Sequence, residues 1–182
     1  MKEWYKARKE KVKLQGKLTF ERVRTTSDWP KLKAKAAATR HLVHYAVDLC
    51  ERHNSGSEHD RRRLVCCKFL AYFYTQCATH GRWFPQNVLD RLSTGVRVFM
   101  GCYMNLSREA VGNQTRAWKM TPKFHFFVHL CDLQAPMWGN PRFYWTYADE
   151  DLQQVMKGIA IACHTMNMAP MVIFKWLCMK FD

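Results

Sequence analysis

The segment KMTPKFHFFVHL, residues 119–130, sets His125 and His129 four apart among Phe, Val and Leu. On a helix, side chains at i and i+4 share a face, so both imidazoles can reach one ion. A zinc site normally takes at least three protein ligands. Cys131, Cys163, His164 and the run Asp149-Glu150-Asp151 are the other donors, and no spacing selects among them. The chain has neither HExxH nor CxxC. The competing reading makes the two rings hydrogen-bonded core groups, because buried polar atoms need partners. His41 and His44, three apart, form a second pair on a helix with one polar side.

ADED, residues 148–151, gathers three acids in a chain that is otherwise basic. Acids in a first helical turn complement the helix dipole. A carboxylate here would alternatively hold Mg²⁺ for phosphodiester chemistry, which needs further carboxylates from distant positions. Asp132 and Asp90 are those contributors. A contact of Glu150 with His125 or His129 would fix the ring orientation and raise the histidine pKa. The metal candidates are therefore His125, His129 and Glu150, with Zn or Mg as the divalent ion. GNPRFYWTY, residues 139–147, mixes Arg142 with Phe143, Tyr144, Trp145 and Tyr147. Exposed aromatics beside Arg stack on unpaired bases, whereas buried ones make core. Gly139-Asn140-Pro141 is a turn that delivers the cluster.

The formal charge is +14 and the pI about 9.6. Such an excess favours polyanionic partners, nucleic acid first and an anionic membrane surface second. Residues 1–40 hold 13 Lys or Arg against 4 Asp or Glu, so +9 of the excess sits there. The phosphate-binding candidates are Lys6, Arg8, Lys9, Lys11, Lys13, Arg61, Arg62, Arg63 and Arg142. Binding by such groups is insensitive to sequence and steeply dependent on salt. No helix-turn-helix, zinc-finger or RNA-recognition signature accompanies them. The eight cysteines lie mostly inside apolar helical patterns (Cys66, Cys67, Cys77, Cys102, Cys131, Cys163, Cys178), and the chain opens without an apolar leader. They read as reduced core residues of an intracellular protein, nuclear or cytoplasmic, that is not secreted. No apolar run approaches a membrane span.

The elements that must position these groups are helical. Residues 1–30 lack a wide apolar face and read as a basic, flexible arm. KLKAKAAATRHLVHYAVDLCERH carries Leu42, Tyr45, Ala46 and Leu49 at helical spacing. After the loop NSGSEHD, a second helix from Arg61 places Leu64, Cys67, Leu70, Ala71, Tyr74 and Cys77 on one side, with Gly81 as its cap. Val88, Leu89, Leu92, Val96, Phe99, Met100 and Tyr103 predict a third helix to about residue 111. Thr121 caps a fourth, with Pro122 at its first position. QAPMWGNPRFYWTY suits a short extended piece. ADEDLQQVMKGIAIACH is the fifth helix, and PMVIFKWLCMKF the sixth, apolar enough to be buried. The expected fold is all-α, a single irregular bundle of about six helices over residues 31–182 behind the arm.

KFHFFVHL…WGNPRFYWTYADED resembles a stretch of eukaryotic mobile-element proteins, relatives of cut-and-paste transposases. There a Lys-x-His-x3-His helix precedes a Gly-Pro turn, a Trp/Tyr-rich patch and an acid entering a helix. Lys123, His125, His129, Gly139, Pro141, Trp145, Tyr147 and Glu150 occupy those places over some 30 residues. The resemblance implies a nucleic-acid context and a role for Glu150 as a metal-binding carboxylate. A complete transposase core has a mixed β-sheet with two further acids upstream, which helical residues 31–118 do not provide. What it implies is a helical C-terminal piece or a non-catalytic descendant. The expected function is thus DNA or RNA binding by a mobile- or viral-element-derived protein without complete catalytic machinery. The alternatives are a protein-interaction module and a structural zinc or metalloenzyme site on the two-histidine helix.

Overall fold

The computed structural model describes residues 1–9, 14, 16, 18–23, 29, 30, 32, 34, 36–145, 156–163 and 167–181. Among these the structure is all-α: no strand occurs, and no helix is long and apolar enough to cross a membrane. Contacts divide the chain into two compact units, Met1–Phe143 and Tyr144–Asp182.

Three long helices form the body of the first unit: α3 (Ala36–Arg52), α4 (Glu58–Thr79) and α5 (Gln86–Gly112). Short connections fold them back on one another, α3 against α4 and α4 against α5. α4 is the middle helix, so it buries two sides. Cys66, Phe69, Phe73 and Cys77 are its deepest residues. Cys66 and Phe69 face α5, where Cys66 Sγ lies 3.8 Å from the Phe99 carbonyl. The side predicted from spacing is a second stripe. Its Cys67 lies 3.6 Å from Cys50 of α3, sulfur to sulfur, and only Cys77 of that stripe is fully buried. On α5, Val88, Leu92, Val96, Phe99, Leu106 and Ala110 recur at intervals of three, four or seven residues, one helical face, and are all buried.

α6 (Lys123–His129) lies against α5. Phe127 inserts among Phe69, Phe73 and Phe99, with centroids 6.0, 5.2 and 5.7 Å away. Each such ring pair contributes about 0.5–1.5 kcal/mol beyond its area. The helix then widens into a π turn (Leu130–Gln134) and resumes as α7 (Ala135–Trp138). Pro136 is the cause: it cannot donate to the carbonyl four residues earlier, and its ring would strike that carbonyl. A single 3₁₀ turn, Pro141–Phe143, ends the unit. Within the region expected to hold an extended piece, the described residues form the end of the π turn, α7 and a 3₁₀ turn joined by non-helical residues, and none is in a strand.

The N-terminal segment is not a free arm throughout. Lys2–Ala7 forms α1, and Tyr5 is buried with Leu14 and Leu42. The Tyr5 hydroxyl accepts a hydrogen bond from the Leu14 amide at 3.0 Å, and Trp4 Nε1 donates to Asp48 of α3. α2 is one turn, Phe20–Val23. The second unit contributes helical residues 156–161 (α8) and α9 (Met168–Phe181). Among the α9 residues whose side chains are described, Met171, Ile173, Phe174 and Cys178 are exposed and Val172 is half-buried, against the expected burial.

Three helix ends depart from expectation. α4 starts three residues early because Ser57 caps it, accepting from the Asp60 amide at 3.2 Å. Its C-terminal residue His80 is extended, and Gly81 is not left-handed. Thr121 makes no side-chain cap for α6; only its carbonyl serves, accepting from the Phe124 amide at 3.1 Å.

Two experiments test this packing. A Cβ on Gly95 would collide with the ring of Phe69. That ring is backed by Phe99 and Phe127 and cannot retreat. Gly95→Ala gains about 1 kcal/mol of helix propensity but overpacks at a cost of about 1–3 kcal/mol, so net destabilisation is expected in denaturant unfolding. Gly101→Ala, on the same helix with nothing within 4 Å, is expected to stabilise by roughly 0.4–1 kcal/mol. Equal effects at the two glycines would contradict the close α4–α5 approach.

Asp60 supplies a pH test. Its carboxylate accepts from the Ser55 hydroxyl at 2.6 Å and the Ser55 amide at 2.8 Å, and pairs with Arg63 at 2.9 Å. The serine hydroxyl first, then its amide, hold the carboxyl below its usual range. A lowered folded-state pKa contributes stability above about pH 4, lost as pH falls through the folded value. The Tm difference between wild type and Asp60→Asn is therefore expected to shrink from about pH 5 to about pH 2. A constant difference would rule the linkage out.

Candidate nucleic-acid interface

The basic residues singled out in the sequence are only partly available to phosphate. Arg61 and Arg62 both pair with Glu58, at 3.6 and 3.2 Å. Arg63 pairs with Asp60 and donates to the His53 carbonyl at 3.2 Å. The first two turns of α4 thus set two acids against three arginines. Arg8 stacks on Trp4 at 5.2 Å and lies 3.9 Å from Asp48. Lys6 and Lys9 are exposed. Lys11 and Lys13 lie outside the described residues.

Arg142 has a structural task. Its Nη1 donates to the Ala78 carbonyl at 3.1 Å, at the end of α4, where a cation opposes the helix dipole favourably. Beside it Asn140 is fully buried. Its Nδ2 donates to the carbonyls of Cys77, His80 and Gly81 at 3.0, 3.1 and 3.1 Å. Its Oδ1 accepts from the Arg142 amide at 3.0 Å. Carbonyls can only accept, so these partners fix which end of the amide is nitrogen. Helix ends leave carbonyls unpaired, and Asn140 supplies the donors. Gly139 must precede it: φ is +84°, and a Cβ there would collide with the Arg82 carbonyl. That carbonyl instead accepts from the Asn140 amide at 2.7 Å. The Gly-Asn-Pro turn is thus a pin on the end of α4.

The histidine pair does meet. The rings of His125 and His129 are 4.2 Å apart, centroid to centroid. They are not core residues, however, since α6 has none that is buried and His125 is exposed. The helix turns Phe124 and Phe127, not its imidazoles, toward α4 and α5. Among the described residues no group of three His, Cys, Asp or Glu could hold a metal. Glu150, with Asp149, Asp151 and His164, lies outside the described residues. Of the other acids considered, Asp132 pairs with Arg97 at 2.9 Å and Asp90 accepts from Gln86 at 2.8 Å. Burial pushes the thiols of Cys66, Cys67 and Cys77 up to about 12 and Cys131 higher still, so none of these four is a nucleophile at neutral pH.

A different constellation emerges where α5 passes into α6. α5 ends in a Schellman turn: Thr115 N donates to the Ala110 carbonyl at 2.8 Å and Gln114 N to Val111 at 3.0 Å. Gln114 takes the left-handed position at φ +51°. Trp118 follows with φ +57°, a conformation that bulky residues rarely adopt. Its indole meets Tyr103 edge-on at 5.4 Å and His59 at 6.1 Å, and His59 Nδ1 lies 3.1 Å from Glu109. The Tyr103 hydroxyl donates to the Lys119 carbonyl at 3.1 Å, and its ring lies 4.3 Å from Phe124. Burial raises the Tyr103 pKa, which keeps that hydroxyl protonated. The rings of Tyr103, Trp118 and Phe124, with Trp29, Pro30, Ala117, Lys119 and Thr121, line an open cleft of about 650 Å³. Lys119 Nζ sits 5.9 Å from the Trp29 ring centroid.

No protein-family model, curated protein or solved structure matches the chain. The site therefore stands on its own geometry. Sequence reasoning passed over it because GNQTRAW reads as a mere break between helices. A signal was present. Between Glu109 and Asp132 there is no acidic residue, yet Arg116, Lys119 and Lys123 stand there beside Trp118.

The pin is testable apart from binding. Asn140→Ala leaves buried carbonyls unpaired and is expected to cost roughly 2–4 kcal/mol in denaturant unfolding. Arg142→Ala loses one exposed cap and is expected to cost under about 1 kcal/mol. Equal costs would refute the division of labour.

Proposed function

We propose that the chain binds nucleic acid through its phosphates, as a non-catalytic helical protein. The observation that carries this reading is the acid-free connection from α5 to α6. Its Lys119 and Lys123 are exposed, and it borders an aromatic cleft. At the start of α4, by contrast, Arg61, Arg62 and Arg63 are offset by Glu58 and Asp60. The overall charge of +14 adds long-range attraction for a polyanion. The resemblance to mobile-element proteins fits the same chemistry, and derivation from such an element is part of the proposal. Lys6 and Lys9 on the N-terminal segment extend the contact.

A second reading is favoured by one specific observation. Phe126, Leu133, Met137 and Trp138 are all exposed along α6, the π turn and α7. Exposed apolar stripes of this kind mark interaction surfaces, here for a protein partner.

The two readings separate experimentally. Binding to single-stranded and duplex oligonucleotides is expected at about 50 mM salt, weakening steeply as salt rises. Replacing Arg116, Lys119 and Lys123 with Glu is expected to flatten the log–log salt slope for a single strand by about 2. Undetectable binding at about 50 mM salt would defeat the nucleic-acid reading. A purified protein complex lost on Phe126→Glu and Met137→Glu, but indifferent to the cation replacements, would support the second.

A further inference from the structure

We infer that the cleft between Trp29, Tyr103, Trp118 and Phe124 receives an unpaired nucleobase, so that the protein prefers single-stranded nucleic acid. The inference rests on the nucleic-acid reading above and names the part of the ligand that this site takes. Four aromatic side chains converge on one opening of about 650 Å³. Tyr103 meets Phe124 at 4.3 Å, tilted, and Trp118 at 5.4 Å, edge-on, so three of the rings form one contiguous aromatic wall that offers more than one ring face. Every base has a π face, so such a surface stacks bases without regard to sequence.

Charge decides between the two occupants an aromatic cleft commonly takes. A quaternary ammonium is drawn to ring faces, but here Lys119 already lies against the face of Trp29. The connection carries no acid, and Lys123 opens α6 directly after it, so a cationic guest would meet like charge. A nucleotide instead presents a neutral base to the rings and an anionic phosphate to Lys119. The backbone is consistent with this use. Trp118 holds a left-handed conformation, and strain of this kind persists only where surrounding contacts enforce it. The enforcing contacts are Tyr103, the Tyr103–Lys119 hydrogen bond and the His59–Glu109 pair. A base inside a duplex keeps its faces against its neighbours and cannot enter. Single strands and extruded bases can.

The test uses the full chain, oligo(dT), an abasic strand of equal length, and the matching dA·dT duplex, all at about 50 mM salt. Indole fluorescence and anisotropy are the readouts. Oligo(dT) is expected to bind roughly 5- to 150-fold more tightly than the abasic strand, the worth of one stacked base, and to quench indole emission. Trp118→Ala is expected to abolish that difference while leaving abasic-strand binding intact, which also reports that the variant is folded. Trp118→Phe is expected to restore most of the preference. Equal binding of the two strands, unaffected by Trp118→Ala, would overturn the base pocket and leave phosphate binding standing. Absence of binding to either strand would overturn both readings. A trimethyl-lysine peptide that quenches the indoles, with oligonucleotides indifferent to Trp118, would assign the cleft to a cation instead.

Discussion

Phe127 touches Phe69 and Phe73 of α4 and Phe99 of α5 at once, and much else depends on that wedge. It fixes α6, a helix of only seven residues. A helix so short has little stability of its own in water; packing of one face must supply it. With Phe127 seated, Phe124 falls against Phe99 and Tyr103, and the floor of the aromatic cleft is complete. The wedge needs room. Gly95 gives it by letting the Phe69 ring lie directly on the α5 backbone.

The ends of the helices are where polar chemistry is used up. Asn140, Arg142 and Ser57 all satisfy backbone groups of α4, and Asp60 gathers Ser55 and Arg63 at its start. A buried unpaired carbonyl costs more than an ordinary surface contact yields, so side chains with several donors are drawn to these places. Arginines that look in sequence like a phosphate-binding run are thereby committed to acids of their own helix and to a carbonyl just past the end of α3.

The connection from α5 to α6 behaves differently. No acid lies within it, and its Trp118 is held in an unfavourable backbone region. Its aromatic neighbours are only half-buried. The nucleobase proposed above would find there both a set of half-buried rings and an exposed lysine.

The sequence alone determined the helical class and the positions of the long helices, because apolar residues at three- and four-residue spacing have no other way to bury one face. The stripe on α5, from Val88 to Phe99, was legible almost residue by residue. Core placement of cysteines was legible for Cys66, Cys77 and Cys131, whereas Cys67, Cys102 and Cys163 are half-buried and Cys178 is exposed. Which side of α4 lies deepest was not legible, since a middle helix carries two apolar stripes and only its neighbours rank them. The histidine pair was visible, but its exposure was not, because Phe124 and Phe127 on the same helix claimed the inward positions. Asn140 read as a turn residue. Its role depends on carbonyls some 60 positions away, and spacing carries no information about such contacts. The cleft joins residues 29, 103, 118 and 124, brought together by chain reversal and the α5–α6 turn. Local pattern fixes what each segment can become; only the packing of α6 on α5 decides which side chains are left to share one opening.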